Sequence, residues 1–272
     1  MRTQRAGDLG YSAVVGILAG LGFLILVGPV VIVLLTSLTE GRSIKFPPSG
    51  LSLQWYRLLF DPVRSAPIQR AALNSLQVAA VTMLAATLLA TLASVALARR
   101  TGRWVRALDT FFMSPMILPM LAYGLAALMY FTLLGFRPSL PLIMLGHIVV
   151  VAPLVLRTTS ASMSQLDPAL LESSASLGGG WFYTFRRVTL PAIAPGIAAG
   201  AFLAFVASLD NVPVSLFLAG PRSDMLPIRM WGMMESTLDV RVAAVSGVLI
   251  ATVLALMLVM ERVAGLTRRL RD

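Results

Sequence analysis

Residues 9–39 read LGYSAVVGILAGLGFLILVGPVVIVLLTSLT, 31 positions between Asp8 and Glu40 without a single charge. A hydrocarbon core about 30 Å thick needs about 20 helical residues, each rising about 1.5 Å. This stretch is long enough to cross it. Outward from there, the charged residues leave five more gaps. They hold 28 residues between Arg70 and Arg99, 27 between Asp109 and Arg137, 19 between Arg137 and Arg157, 22 between Arg187 and Asp210, and 19 between Arg241 and Glu261. Membrane β-strands would alternate polar and apolar residues, and these runs do not. The sequence therefore predicts an all-α integral membrane protein with six transmembrane helices. They fall near residues 11–38, 72–98, 109–134, 139–160, 194–219 and 242–264, in a single domain over 1–272.

Composition agrees. Of 272 residues, 57% are hydrophobic and 12% charged, and the mean hydropathy is +0.84. Soluble domains carry about 25% charged residues, so intrinsic disorder and an ordinary soluble enzyme are excluded. Cysteine is absent and His147 is the one histidine. That removes disulfides, thiolate metal sites and cysteine nucleophiles. A net charge of +10 would point to nucleic acid in a soluble protein. Here it reads as arginine flanking the spans on the cytoplasmic side, with no nucleic-acid partner. With the N-terminus inside, 13 of the 22 Lys and Arg residues fall on the inner side, notably Arg99, Arg100, Arg103 and Arg106 and the C-terminal cluster from Arg262 to Arg271. Both termini are then expected in the cytoplasm of a bacterial inner membrane. The first span is too long for a signal-peptide core and is expected to be retained as an anchor.

Two connections carry further information. The first outer loop, 39–70, holds the turn Phe46-Pro47-Pro48-Ser49-Gly50 and then Leu51 to Phe60, which reads either as a short interfacial helix or as a packed loop. The inner loop 161–193 reads as a helix–turn–helix hairpin. Asp167 can cap a helix that starts with Pro168, because proline has no N–H to leave unpaired there. Gly178-Gly179-Gly180 ends that helix near Leu177. Trp181-Phe182-Tyr183-Thr184-Phe185-Arg186-Arg187 can form a second one, and Leu190-Pro191 leads into the fifth span.

Glu172-Ser173-Ser174, three residues, Gly178, nine residues, then Val188-Thr189-Leu190-Pro191 resembles the EAA motif of the inner-membrane permease subunits of binding-protein-dependent ABC importers. The departures are Ser for Ala twice and Val for Ile. The resemblance implies the type I ABC importer fold, with this hairpin as the coupling loop between the fourth and fifth helices. It implies that Glu172, Ser173, Ser174, Gly178, Arg186, Arg187, Leu190 and Pro191 couple to a cytoplasmic ATPase. Glu172 is the charged contact in that reading; alternatively it pairs with Arg186 or Arg187 and holds the hairpin. Phe46-Pro47-Pro48, Leu51 to Tyr56, Asn74-Ser75-Leu76, Ser208-Leu209-Asp210-Asn211 and Leu226-Pro227 are similar to the second, C-type permease of spermidine/putrescine importers. Importers of 2-aminoethylphosphonate, 4-aminobutyrate, ferric iron or sulfate share much of that pattern.

Asp210 is the outstanding residue within the spans. A carboxylate facing lipid costs about 2.5–3.5 kcal/mol or more, so it should face the bundle interior or a wet cavity. Asn211 and Pro213 should open or kink the helix beside it. Asp210, Asn211 and Ser208, with Met116 and His147, form the candidate substrate pathway; Asp210 reads otherwise as a structural carboxylate, His147 as a packed imidazole and Met116 as filler. Pro115, Pro119 and Pro153 should kink the third and fourth spans. There is no phosphate-binding loop, no metal cluster and no acid–base pair. The expected chain is a non-catalytic subunit that binds no cofactor, with ATP and Mg in a partner ATPase. The expected partners are a homologous second permease, two copies of the ATPase, an extracytoplasmic solute-binding protein and the lipid bilayer. Two readings from other classes stand beside it. An ion-coupled secondary transporter predicts more helices or an internal repeat, and no repeat is clear. An intramembrane enzyme predicts paired catalytic side chains at matching depth, where the spans offer only Asp210 and His147.

Overall fold

The computed structural model describes residues 2–98, 100–237 and 239–264. Twelve α-helices follow one another among them. They are α1 (Arg2–Ser37), α2 (Gln54–Leu59), α3 (Ala66–Ala98), α4 (Arg103–Met113), α5 (Met120–Leu133), α6 (Leu140–Ser164), α7 (Pro168–Ser176), α8 (Trp181–Thr184), α9 (Leu190–Leu209), α10 (Val212–Leu218), α11 (Leu226–Thr237) and α12 (Arg241–Ala264). The one extended pairing among the described residues is an antiparallel bridge between Thr39 and Leu51.

Among the described residues, five helical stretches are long and apolar enough to cross a membrane: Tyr11–Ser37, Ala66–Ala98, Leu140–Ser164, Trp181–Leu209 and Arg241–Arg262. The sixth, expected at 109–134, is broken. Its two halves, Arg103–Met116 and Met120–Leu133, meet at 100°. Pro115 and Pro119 explain the place of the break, since each lacks the N–H a continuous helix needs. Around the first of them the chain tightens into a 3₁₀ turn at Ser114–Met116. The expected span 194–219 is likewise not one helix. It starts earlier, running from Trp181 through a π-helical segment at Phe185–Thr189, and ends at Leu209. Asp210 and Asn211 interrupt it before α10. α11 is not among the expected elements, because LPIRMWGMMEST mixes Arg229 and Glu235 into a run too short to span.

The chain forms two compact units. One comprises the residues up to Ala66 together with Gly232–Ala251. In it, the outer loop is tied down by backbone and side-chain hydrogen bonds. Glu40 N–H donates to Gly50 O at 3.1 Å, Trp55 Nε1 to Thr39 O at 2.9 Å, and Gln54 Nε2 to Glu40 O at 2.8 Å. Ser37 Oγ and Tyr56 OH lie 2.7 Å apart. The segment expected as either helix or packed loop is therefore both: α2 is helical and its tryptophan is anchored to the loop.

The second unit runs Pro67–Trp231 and resumes at Thr252. Lipid tails are as apolar as leucine, so membrane helices associate through close van der Waals contact rather than through expulsion of water. The core residues fit that rule. Ala86, Ala90, Val151, Val155 and Ala204 form one cluster, and Val78, Ile143, Val214, Leu218 and Met225 another. Gly196 and Gly200, one helical turn apart on α9, press against α6. A Cβ added at Gly200 would stand 2.9 Å from Val155 Cα, and one at Gly196 would stand 2.7 Å from Thr158 O.

Candidate functional site

The hairpin forms from its own signals. Asp167 Oδ1 accepts from Ala169 N–H at 2.9 Å, with Pro168 opening α7. Gly178 takes φ +81°, the left-handed conformation that costs an L-residue about 1–2 kcal/mol. Its N–H closes the helix on Ala175 O at 3.0 Å, and Gly179 N–H does so on Ser174 O at 2.8 Å. Gly179 is required for room instead: an added Cβ would stand 2.6 Å from Ser174 Oγ and 2.7 Å from Ser174 O. Ser174 Oγ and Thr184 Oγ1, both buried, lie 2.8 Å apart and join α7 to α8. The rings of Trp181 and Phe185 stack at 5.8 Å.

What this hairpin presents is apolar, with charge of both signs. Leu170, Leu177, Trp181, Phe182 and Tyr183 are exposed, Leu177 to 88%. Glu172, Ser173, Arg186, Arg187 and Pro191 are exposed as well, while Leu190 stands at the limit of exposure and Ser174 is buried. Glu172 makes no ion pair with Arg186 or Arg187, the arrangement in which it would merely hold the hairpin. An open groove of about 550 Å³ runs between the two arms, lined by Leu170, Ser174, Leu177, the three glycines, Tyr183 and Val188.

The second feature lies where both broken spans meet. Met116 and Met120 from the first break, Asp210, Asn211 and Pro213 from the second, and Val150, Val151, Leu154 and Ala207 line an open cavity of about 320 Å³. Asp210 ends α9, about 30 Å along that helix from Leu190. Its carboxylate is exposed and forms no hydrogen bond or ion pair among the described residues. It stands where the unpaired carbonyls of the α9 C-terminus concentrate negative partial charge. Both effects favour a cation in the cavity. Asn211 acts on the backbone instead, its Oδ1 accepting from Val214 N–H at 3.1 Å to cap α10.

Three of the residues read from the sequence as pathway candidates, Met116, Asp210 and Asn211, therefore share one cavity. Ser208 and His147 do not line it. Both are fully buried, with His147 Nδ1 2.9 Å from Ser208 Oγ and Nε2 3.1 Å from Ser215 Oγ. Met120 is read from the sequence only as one of three methionines at helical spacing with Met113 and Met116, and Ser215 only as part of the Val214-Ser215 pair of the resemblance. Gly179 stands inside a glycine run with a turn to explain it and Thr184 inside the aromatic–basic segment, and the partners of all four come only with the fold.

The model of one family, the binding-protein-dependent transport system inner membrane component, matches residues 86–271. The spermidine/putrescine transport system permease protein PotC of Escherichia coli is 28% identical over 237 residues, 87% of this chain and 88% of that one. The putrescine transport system permease protein PotI of the same organism is 28% identical over 241 residues, 86% and 84% of the two chains. A solved bacterial ABC transporter that imports the acidic polysaccharide alginate superposes with a TM-score of 0.71 at 16% identity, over 99% of this chain and 100% of that one. A bacterial alginate ABC transporter in complex with its alginate-bound periplasmic protein gives 0.70 over 95% and 94%. The fold is thus that of an importer permease, and the chain belongs to the family of inner-membrane components of binding-protein-dependent transport systems, as a permease subunit of an ABC importer.

Proposed function

We propose that this permease subunit forms half of the pathway for a small organic amine, a polyamine first of all, and that Asp210 receives its ammonium group. The observation that carries the reading is the unpaired Asp210 carboxylate at the C-terminal end of α9, in a cavity where two broken spans meet. The names of the relatives support the same substrate class. An ammonium 4 Å from the carboxylate gains about 4 kcal/mol at an effective dielectric constant of 20.

In the assembled importer a homologous second permease completes the pathway. Both termini and the hairpin face the cytoplasm. Two copies of an ATPase, which bind ATP and Mg, dock on the hairpins through Glu172 and the apolar side chains around it. An extracytoplasmic binding protein delivers the solute. ATP-driven closure of the ATPases moves the hairpins, and the capped α7 with its buried Ser174–Thr184 bond is stiff enough to carry that movement into α9. This chain performs no chemistry itself.

The test is uptake by the complete importer in liposomes. Labelled spermidine, putrescine, 2-aminoethylphosphonate and 4-aminobutyrate would be compared, with and without Asp210→Asn. Polyamine uptake that falls tenfold or more in the variant supports the reading. Preference for a zwitterion, or unchanged polyamine uptake in the variant, refutes it.

A further inference from the structure

The break in the fifth span is bridged by one side chain. His147, on α6, is fully buried. Its Nδ1 reaches Ser208 Oγ, the last turn of α9, and its Nε2 reaches Ser215 Oγ, the first turns of α10. Asp210 and Asn211 lie between the two serines. Seven residues of unbroken helix rise about 10.5 Å. One imidazole reaches both hydroxyls because the chain turns between them. A neutral imidazole donates from one nitrogen and accepts on the other, so the two serines play opposite roles and both ring nitrogens are used.

The surroundings leave the bridge little freedom. A Cβ added at Gly146, beside His147, would stand 2.8 Å from Leu218 Cδ1 and 2.9 Å from Val214 Cγ1. One added at Gly124 on α5 would stand 2.9 Å from Pro213 O. Tyr123 OH donates to Gly146 O at 3.2 Å. α10 is therefore seated closely on α5 and α6, and the histidine ties α9 to that seat.

We propose that His147 is a positioning residue for transport: by bridging Ser208 and Ser215 it sets the angle of the break and so the place of Asp210 in the cavity. The inference deepens the reading of Asp210 as the ammonium site and rests on it for the effect on transport. The bridge itself is testable without it. The chain has no cysteine, so paired labels can be placed in this subunit at Leu203→Cys and Leu216→Cys, both exposed positions on either side of the break.

The experiment measures the spin-label distance across the break in the complete importer, beside uptake kinetics. His147→Phe keeps a ring and loses both bonds. Ser208→Ala with Ser215→Ala removes the partners with little loss of volume and serves if His147→Phe fails to assemble. The expected result is a broader, longer distance distribution in each, and KM raised about tenfold with a smaller change in the maximal rate. His147→Gln, which keeps an amide donor and acceptor, should restore much of both. A distribution unchanged in both His147→Phe and the double serine variant overturns the proposal. So does a changed distribution with unchanged uptake kinetics. Asp210→Asn separates the two readings: it should leave the distance unchanged. If it also leaves uptake unchanged while the histidine variant alters both the distance and the kinetics, the ammonium site is wrong and the bridge stands.

Discussion

The three consecutive glycines of the hairpin should respond to the same substitution in three different ways. Gly180 has φ −66° and nothing within 4 Å of an added Cβ, so Gly180→Ala is sterically free. Gly178 also has open space but φ +81°, so Gly178→Ala costs about 1–2 kcal/mol of backbone strain. Gly179→Ala meets Ser174 O at 2.7 Å and Ser174 Oγ at 2.6 Å. The carbonyl belongs to the helix-closing bond with Gly179 N–H and cannot retreat without losing it. Overpacking of that kind costs about 1–3 kcal/mol, and it also displaces the hydroxyl that joins Ser174 to Thr184. Each 1.4 kcal/mol is about tenfold in the population of the native hairpin relative to a distorted one. Substrate-stimulated ATPase of the complete importer in liposomes should therefore be unchanged in Gly180→Ala and reduced about fivefold or more in Gly178→Ala. It should be lowest in Gly179→Ala. Asparagine tolerates the left-handed region better than alanine, so Gly178→Asn should recover part of the loss. Equal amounts of each variant must be present in the membrane. If Gly180→Ala is as damaging as Gly179→Ala, or if Gly179→Ala couples normally, the hairpin geometry is not what transmits movement.

Three other outcomes follow from the same geometry. Ser174→Ala leaves the Thr184 hydroxyl with only a 3.5 Å contact to Gly179 O and should cost about 1–2 kcal/mol, read as a lower melting temperature; adding Thr184→Val should recover most of it. Gly200→Leu should separate α9 from α6 and prevent accumulation of folded protein, measured by fluorescence-detected size exclusion, whereas Gly232→Ala, with nothing within 4 Å, should not. Burial opposes ionisation of Asp239, but hydrogen bonds from the Arg241 side chain and backbone overcome it and hold its carboxyl below the usual 3.8. That stabilisation is complete above the unfolded carboxylate range and fades as pH falls through the lowered native value. The melting temperature of the purified protein should thus drop below about pH 4, and Asp239→Asn should flatten that acid limb.

Much of the fold was legible because charge is so costly in a bilayer that six uncharged gaps mark the spans directly. The hairpin was legible because Asp167-Pro168 and Gly178 each obey a local rule, a cap and a left-handed turn, that no tertiary partner needs to enforce. The prolines at 115 and 119 mark the first break but not its 100° angle. Proline and asparagine after Asp210 mark the second. That both breaks front one cavity could not be read, since nothing in sequence links Met116 to Asp210 across 94 positions. The sequence offers His147 as a packed, hydrogen-bonded imidazole or a proton relay, and the two serines that hold it come only with the fold.

The exposed side chains of Leu170, Leu177, Trp181, Phe182 and Tyr183 also bear on how many copies of this subunit a cell can keep. Other apolar surface of the chain can be shielded by lipid, but with the hairpin in the cytoplasm as proposed, Leu170 and Leu177 beyond the start of the fifth span have no such shelter. Exposed apolar side chains outside a bilayer are what chaperones and membrane proteases bind. In the proposed assembly an orphan subunit, inserted but lacking its ATPase, displays those side chains, and an assembled one hides them. Surplus copies would then be removed by the same surface that is proposed to couple, and subunit stoichiometry would be policed by the ATPase supply rather than by matched synthesis.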